Sequence, residues 1–436
     1  MTRQRDFKSR VRARMKRTGE RYAAARAQIL AAGPEQHRVE APLTQPLFPS
    51  VHAVGGQQAD VAAARNLLAN AGVKGHDGAP LTEAMAFGLA GGVGFLYGVF
   101  EYDGTPTMTI VGRNRSMPDS FLEPLFDLAG VEVRISVTSG PAKTRRELDR
   151  LLDEEAPAIC TVGAGWLDYL GLPRDESAMS PQVIGVVGCG DGTLLLDDRA
   201  PQALSVDADT FAAARAAYRT AKHRMISVTA LRGEHDWVAA LEAALLAGVR
   251  GYDTPPVPQW AANVGIAGLK KWHRLLTKPT EKKSWHRIFA EGSRAAIGLT
   301  RLYDCVTHAY TVPGAGRSLY ADFLEEAAEV LGGERTSDAA SAFRRSGELW
   351  SRLAAIASGA SDDLTRYAEL ADLRSAQLDG QPVAEQMATF HAEQRDLVAN
   401  CDLTPIETAD VFGRLGEVLA EIIEIEQPAL ERLRDD

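Results

Sequence analysis

Apolar and polar residues follow different periods in different parts of the chain, and these changes divide it into regions. Residues 3–32 place apolar side chains three, four and seven positions apart, which predicts a helical segment with arginines on its other face. The sequence predicts four regions. They are a basic N-terminal helical arm (1–33), a Pro-rich linker (34–51), an α+β domain (52–232) and a helical bundle (233–436), in which only the helical period remains.

The α+β region opens with two helical patterns before its strands begin. The first predicts a helix over residues 60–71 with Asp60 as its N-cap, and the second predicts a helix that begins after Thr82. Two β-rich runs around "YDGTP" predict a hairpin, and "QVIGVVGCGDGTLLLDD" predicts a second pair of strands joined by a turn. This order predicts a mostly antiparallel sheet in an α+β fold, not a doubly wound parallel sheet.

The composition is that of a globular protein. The 436 residues are 45% apolar and 24% charged, which predicts two or three folded units. The sequence has no apolar run long enough to span a membrane, and its basic start lacks the apolar core of a secretory signal. The four cysteines lie far apart, without metal-ligand spacing. We therefore expect a cytoplasmic protein with no metal, cofactor or membrane partner.

Charge is distributed unevenly between the arm and the rest of the chain. Residues 1–30 contain ten basic and two acidic residues, whereas the whole chain has a net charge of −10. The acidic remainder would repel a nucleic-acid backbone, so nucleic acid is not an expected partner. The arm has three alternative roles: docking to an acidic partner such as a carrier protein, packing on the chain's own acidic body, or formation of a homodimer.

Two glycine-rich segments resemble phosphate-binding loops only superficially. In "FGLAGGVGF" the glycines follow a helix and precede a strand, which is the reverse of a phosphate loop, and no Lys-Ser/Thr follows. We expect them to end the second helix and let it pass close to the first. In "GVVGCGDG" no basic residue adjoins Cys189, so a structural role is favoured over a nucleophilic one.

Several polar residues at predicted element ends are candidates for chemistry. Asp197 and Asp198 end a strand, where they would orient a catalytic side chain or pair with Arg199. Arg113 and Arg115 lie two positions apart, which suits recognition of a carboxylate or phosphate but also a solvated surface. Arg317 precedes a helix start and could face the other domain. The repeated Trp-His-Arg triplets at Trp272 and Trp285 are interpreted as core.

Several longer segments carry a family resemblance. "AARNLLANAGV", "LTEAMAFGLAGGVGFLYGVFEY", "GRNR" and "LLLDDRAP" resemble the N-terminal domain of the butirosin biosynthesis protein H family. "WHRIFAEGSRAAIGLTRLYD" and "GRSLYADFLEEAAEVL" resemble the helical domain of unknown function that often follows it. The resemblance implies a papain-like fold. It also implies acyl transfer from a carrier protein to an amine, with a Cys at the start of the first helix and a His on a central strand.

The residues at the implied catalytic positions differ from that pattern. The family's His-Cys pair falls near Gln58 and Ala59, and the strand His falls at about Gln182. An alanine methyl cannot form a thioester, and a carboxamide does not accept a proton near neutral pH. Of the implied catalytic set, only the acidic partner is retained, as Asp197 or Asp198.

The sequence therefore predicts a divergent acyltransferase-type or amide-forming protein of natural-product biosynthesis that acts on or binds an acyl, amino-acid or peptide-like ligand without a Cys nucleophile. The alternative is a non-catalytic pseudoenzyme that docks an acidic partner through the arm, and whether a reaction is catalysed stays open. The catalytic candidates are Asp60, Asp197 and Asp198. The ligand-binding candidates are Gln57, Gln58, Glu83, Arg113, Arg115, Gln182 and Arg317.

Overall fold

A computed structural model describes residues 53–434 except 103, 116–117, 173, 175–180, 310 and 379–383. The predicted arm (1–33) and linker (34–51) lie outside the described residues. The described residues belong to one compact unit. Strands end before residue 233 and helices follow, as the change of period predicted, whereas a domain boundary at that point stays a prediction. Within these described ranges, no helix is long and apolar enough to cross a membrane.

The described chain contains the following elements, numbered in chain order. The helices are α1 Ala59–Asn70, α2 Glu83–Leu89, α3 Pro118–Leu128, α4 Pro141–Asp153, α5 Ala208–Ala217, α6 Trp237–Tyr252, α7 Gly265–Thr277, α8 Trp285–Ile288, α9 Gly292–Thr307, α10 Arg317–Leu331, α11 Glu334–Ser358, α12 Asp362–Leu378, α13 Ala384–Asn400 and α14 Pro405–Arg434. The strands are β1 Val93–Tyr102, β2 Thr105–Arg113, β3 Val131–Ser136, β4 Ala158–Gly163, β5 Pro181–Gly190, β6 Thr193–Asp197, β7 Leu204–Asp207 and β8 Met225–Leu231.

The main sheet has the strand order β3-β8-β4-β5-β6-β7, and every neighbouring pair in it is antiparallel. The prediction of an α+β fold with an antiparallel sheet is confirmed. The strand β7 was not predicted, because four residues are too few to show a period of two.

Alternate residues of the central strands face two different apolar clusters. Ile159 of β4 and Val183 of β5 join the cluster that contains Val61 of α1. Their neighbours Cys160 and Ile184 join a second cluster with side chains of α4 and α5. This alternation follows from the period of two in a strand and places α1 on one face of the sheet and α4 and α5 on the other.

The predicted hairpin is formed by β1 and β2, and the two strands form a separate two-stranded sheet. The hairpin packs against the C-terminal helices through aromatic side chains. The ring centroids of Tyr97 and Trp272 lie 5.8 Å apart, and the Trp285 indole N–H donates to the Tyr97 hydroxyl at 2.9 Å. Trp272 and Trp285 are both fully buried, which confirms their interpretation as core residues.

A buried ion pair joins the hairpin to the last helix. Arg317, at the start of α10, and Glu426 of α14 are both fully buried, and the Arg317 Nε lies 2.8 Å from a Glu426 carboxylate oxygen. Arg317 also donates to the backbone oxygens of Gly94 and Gly112 in the hairpin, at 3.0 and 2.7 Å. The expectation that Arg317 faces a ligand is corrected by this placement, because its guanidinium lies inside the protein and is hydrogen-bonded there.

Glycines end α2, and α2 contacts α1, as expected. The closest approach at Gly88 and Gly92, however, is to α10. Gly92, just after α2, has a φ of 62°, in the left-handed region that favours glycine. A methyl group on Gly88, inside α2, would lie 2.1 Å from the ring of Phe323 on α10. The face of α2 that carries Gly88 thus packs against an aromatic residue of the bundle.

The close approach at Gly88 predicts a stability effect. Gly88→Ala is expected to lower the free energy of unfolding by about 1–3 kcal/mol, because the ring of Phe323 must move to admit the methyl group. Gly413→Ala is the matched control: Gly413 lies inside α14 with nothing near its added methyl group, so this variant should gain up to about 1 kcal/mol from helix propensity. Urea denaturation measures both, and a stabilised Gly88→Ala variant would contradict the proposed packing.

Candidate functional site

The first turn of α1 lies where the resemblance implies the nucleophile. Ala59 is the first residue of α1, and Gln58 is its N-cap, with no capping hydrogen bond from its side chain. Asp60, predicted as the N-cap, is instead the second residue of the helix, so that prediction is wrong. Its carboxylate accepts from the Val61 N–H at 3.0 Å.

Glu83, the first residue of α2, holds the loop that enters α1. Its carboxylate accepts from the backbone N–H groups of Gln57, at 2.9 Å, and Gln58, at 2.7 Å. The loop also lies against β6 and the turn that follows it, since the Gly56 N–H donates to the Arg199 carbonyl at 3.0 Å. Glu83 therefore contributes to the site by positioning backbone.

Asp60 pairs with Arg113 inside the protein. The Arg113 Nη1 lies 2.6 Å from the Asp60 carboxylate, and both side chains are buried. The Arg113 guanidinium also lies over the Phe121 ring of α3, 4.3 Å from its centroid. The pair connects the first turn of α1 to the end of β2.

The structure does not bring Arg113 and Arg115 together as one anion-binding pair. Strand β2 ends at Arg113, and Arg115 lies beyond it with a φ of 49°, exposed, donating to the Ser120 carbonyl at 3.1 Å. The rule that residues two apart share a side applies only while the strand continues. The expectation of a paired-arginine site is therefore corrected.

Asp197, at the end of β6, faces α1. Its carboxylate accepts from the Asn66 side-chain amide at 2.8 Å. The same amide nitrogen and Arg65 both donate to the Val54 carbonyl, so they tie the entering loop to the helix. Sequence reasoning missed the roles of Arg65 and Asn66, although two polar residues inside the apolar run "VAAARNLL" are a usable signal.

Asp198 and Gln182 form the pair that stands where the resemblance implies His and its acidic partner. The Gln182 side-chain amide on β5 donates to the Asp198 carboxylate at 3.0 Å. The Tyr169 hydroxyl donates to the other carboxylate oxygen at 2.9 Å, and the Arg199 Nε lies 3.4 Å from the first. Asp198 is thus fully engaged, and the hydroxyl of Tyr169 was not anticipated from the sequence.

Polar atoms around α1 remain without a partner among the described residues. They are both polar atoms of the Gln58 carboxamide, Nε and Nη2 of Arg113, and Oδ1 of Asp197. All three residues are at least nine-tenths buried. Because buried polar groups are hydrogen-bonded as a rule, such a concentration of unpartnered atoms at one helix start marks a candidate ligand site.

The electrostatics single out Asp197 among the three catalytic candidates. Burial raises the pKa of Asp197 to about 6, against the opposing effects of the Asn66 hydrogen bond and the Arg65 charge. Asp60 is held by Arg113, and Asp198 by three partners. A carboxyl that titrates near neutral pH and has an unpartnered oxygen is suited to proton transfer.

Cys189 lies apart from this site, on the exposed end of β5. Burial and the charges of Asp153 and Asp149 raise the pKa of its thiol, which disfavours the thiolate. In the part of the chain that the structure describes, no group of three or more His, Cys, Asp or Glu residues could hold a metal ion.

Comparison with known families yields two matches along the chain. Residues 58–199 match the family model described as butirosin biosynthesis protein H, N-terminal. Residues 209–392 match a domain of unknown function (DUF4872). The first match runs from the N-cap of α1 to the turn after Asp198, so it contains nearly the whole candidate site. No curated protein matches the chain.

Proposed function

Because the chain belongs to the butirosin biosynthesis protein H-like family, in which a domain of unknown function follows, we propose that it binds a peptide-like or acyl-amide ligand non-covalently at the first turn of α1. The family suggests a biosynthesis-related protein. A papain-like arrangement of α1 on the antiparallel sheet, and a role in natural-product biosynthesis, belong to the same proposal.

The Gln58 carboxamide is the observation that carries the proposal. It is 4% exposed, and neither its oxygen nor its nitrogen has a partner among the described residues. A carboxamide offers donors and an acceptor side by side, which is the complement of another amide. An amide group of a ligand would therefore satisfy both atoms at once, and leaving them unsatisfied is costly.

The residues at the implied catalytic positions support binding without a covalent intermediate. Ala59 has no nucleophilic atom at the helix start, and the Gln182 amide donates to Asp198 without carrying a titratable proton. Non-reactive groups at the positions of the implied dyad therefore support non-covalent binding.

Asp197 favours a second candidate function, amide formation with Asp197 as general base. An amine would attack the carbonyl of a carrier-bound thioester, forming the C–N bond and breaking the C–S bond. Asp197 would take the amine proton and return it to the departing thiolate. Its unpartnered Oδ1 and its pKa of about 6 suit that role. A carrier protein is the acidic partner that the arm would dock in this case.

Substitution of Gln58 tests the proposed ligand site. Gln58→Leu should weaken binding of N-acetyl-glycyl-glycinamide, an uncharged peptide-like probe, by about tenfold or more, because two hydrogen bonds are lost. Gln57→Leu is the matched control, since Gln57 is exposed and bonds through its backbone. Isothermal titration calorimetry measures both affinities.

Removal of the arm separates the α1 ligand site from the alternative of a docking pseudoenzyme. Removal of residues 1–33 should leave probe affinity unchanged if the site is at α1. Equal affinities of wild type and Gln58→Leu, or absence of probe binding, would refute the α1 site. Loss of binding to an acidic carrier protein on removal of residues 1–33, together with absence of probe binding, would favour the docking pseudoenzyme.

A further inference from the structure

A cavity with polar groups among apolar walls lies on the face of the sheet opposite α1. It has a volume of about 310 Å³ and is lined by residues of α4, α5 and the turn between β5 and β6. This volume lies at the lower end of the range for small-molecule sites. The residues that line it include none of those around the first turn of α1, so it is independent of the proposed amide site.

Arg215 of α5 lines this cavity as a buried cation. It is 2% exposed, and its Nη2 donates to the His223 carbonyl at 3.0 Å. Its Nε has no partner, and within the described residues no carboxylate pairs with it. A buried charge without a counter-charge is strongly unfavourable, so this guanidinium requires an anion.

Two further groups of the cavity are polar and unpartnered. The Thr144 hydroxyl of α4 is buried, and Nδ1 of His223 is buried as well. Burial and the charge of Arg215 lower the pKa of His223, so its imidazole is neutral near pH 7 and adds no second positive charge. Arg215 therefore supplies the charge, while the hydroxyl and imidazole supply hydrogen bonds.

The walls and the rim of the cavity restrict which class of anion can bind. Leu148, Leu152 and Phe211 form apolar walls beside Arg215. The rim carries Asp153 and Asp191, whereas Arg145 at the rim is already paired with Asp149 and Asp209. An acidic rim disfavours a doubly charged phosphate or dicarboxylate, and apolar walls favour a hydrocarbon body.

We propose that this cavity binds a small monocarboxylic acid with an apolar body, whose carboxylate is held by Arg215 and the Thr144 hydroxyl. The guanidinium donates a charge-assisted hydrogen bond through Nε, and the apolar body lies against the leucines of α4 and Phe211. Cys189 at the rim takes no covalent part.

Calorimetric titration of the full chain at pH 7 with hexanoate, hexanamide and inorganic phosphate tests the ligand class. Hexanoate should bind about tenfold or more tightly than hexanamide, which has the same body without the charge. Phosphate should not bind.

Variants locate the site. Arg215→Met should weaken hexanoate binding roughly 10- to 100-fold, as expected for loss of a charge-assisted hydrogen bond. Arg219→Met is the matched control, because Arg219 is exposed and lies beyond the end of α5. Ala212→Leu adds volume to a residue that lines the cavity and should abolish hexanoate binding without removing a charge. Gln58→Leu should leave hexanoate binding unchanged, which separates this site from the amide site.

Several results would overturn the proposal: equal binding of hexanoate and hexanamide, preferential binding of phosphate, no hexanoate binding at about 10 mM, or unchanged binding in Ala212→Leu. If Arg215→Met does not fold by circular dichroism, Ala212→Leu and the ligand series decide between the outcomes.

Discussion

Arg317→Met is expected to lower the free energy of unfolding by about 3–5 kcal/mol at pH 7, the largest effect of any single substitution considered for this protein. The change leaves Glu426 fully buried without its counter-charge. It also removes the donor to the carbonyls of Gly94 and Gly112, which lie inside the hairpin. Urea denaturation followed by circular dichroism measures the loss.

The loss should depend on pH. Burial alone would raise the pKa of Glu426, but the charge and hydrogen bonds of Arg317 outweigh it and hold the pKa below its usual range. The stability from this carboxylate is therefore present above its unfolded pKa and lost as the pH falls through its folded pKa. The wild type and Arg317→Met should accordingly differ most near neutral pH and least in acid.

Two variants serve as controls for Arg317→Met. Arg344→Met removes a half-exposed arginine that pairs with Asp322 and Glu325, and should cost less than about 1 kcal/mol. The double variant Arg317→Met, Glu426→Leu removes both charges and should recover part of the loss. If Arg317→Met cost no more than Arg344→Met, the buried pair would not have the strength that its burial implies.

Asp197→Asn is expected to change how stability depends on pH. The folded pKa of Asp197 is raised to about 6, so the folded state holds the proton more tightly than the unfolded state. Its contribution to stability is therefore favourable in acid, declines as the pH rises from about 4 to about 6, and is constant above that. A shift of about two pKa units corresponds to about 3 kcal/mol.

The asparagine introduced at position 197 carries no titrating proton, yet its side-chain oxygen can still accept a hydrogen bond from the Asn66 amide. Relative to wild type, Asp197→Asn should therefore gain up to about 3 kcal/mol of stability between pH 4 and pH 6.5. Asp209→Asn, at an exposed carboxylate on α5, serves as the control for net charge. A difference between wild type and Asp197→Asn that stays constant over this range would contradict a raised pKa.

The elements were predictable from the sequence because their signals are local. The short apolar runs of β4 and β5, and the Thr82 cap of α2, each lie within a few residues. The family resemblance pointed to Gln182 and left the acidic partner open between Asp197 and Asp198, and the Gln182 side chain donates a hydrogen bond to Asp198. These predictions did not require knowledge of distant contacts.

The wrong predictions concern residues whose role is set by a contact with a residue far away in the sequence. Asp60 has the right residue type for an N-cap, but the carboxylate that binds the entering loop comes from Glu83, on another helix. The sequence made Arg317 a ligand-binding candidate, because its partner Glu426 is 109 residues away along the chain. No local pattern distinguishes a solvated arginine from one whose partner lies in another helix.

The bonds of Arg317 also impose an order on folding. They reach back 205 residues to Gly112 in the hairpin and forward 109 residues to Glu426. The hairpin is synthesised early. Arg317, which donates to the hairpin carbonyls, and Glu426, which neutralises Arg317, are synthesised much later. Contacts of such high sequence separation form slowly. The aromatic face of the hairpin must therefore wait unpaired on the nascent chain, where we expect chaperone binding or aggregation to compete with its docking.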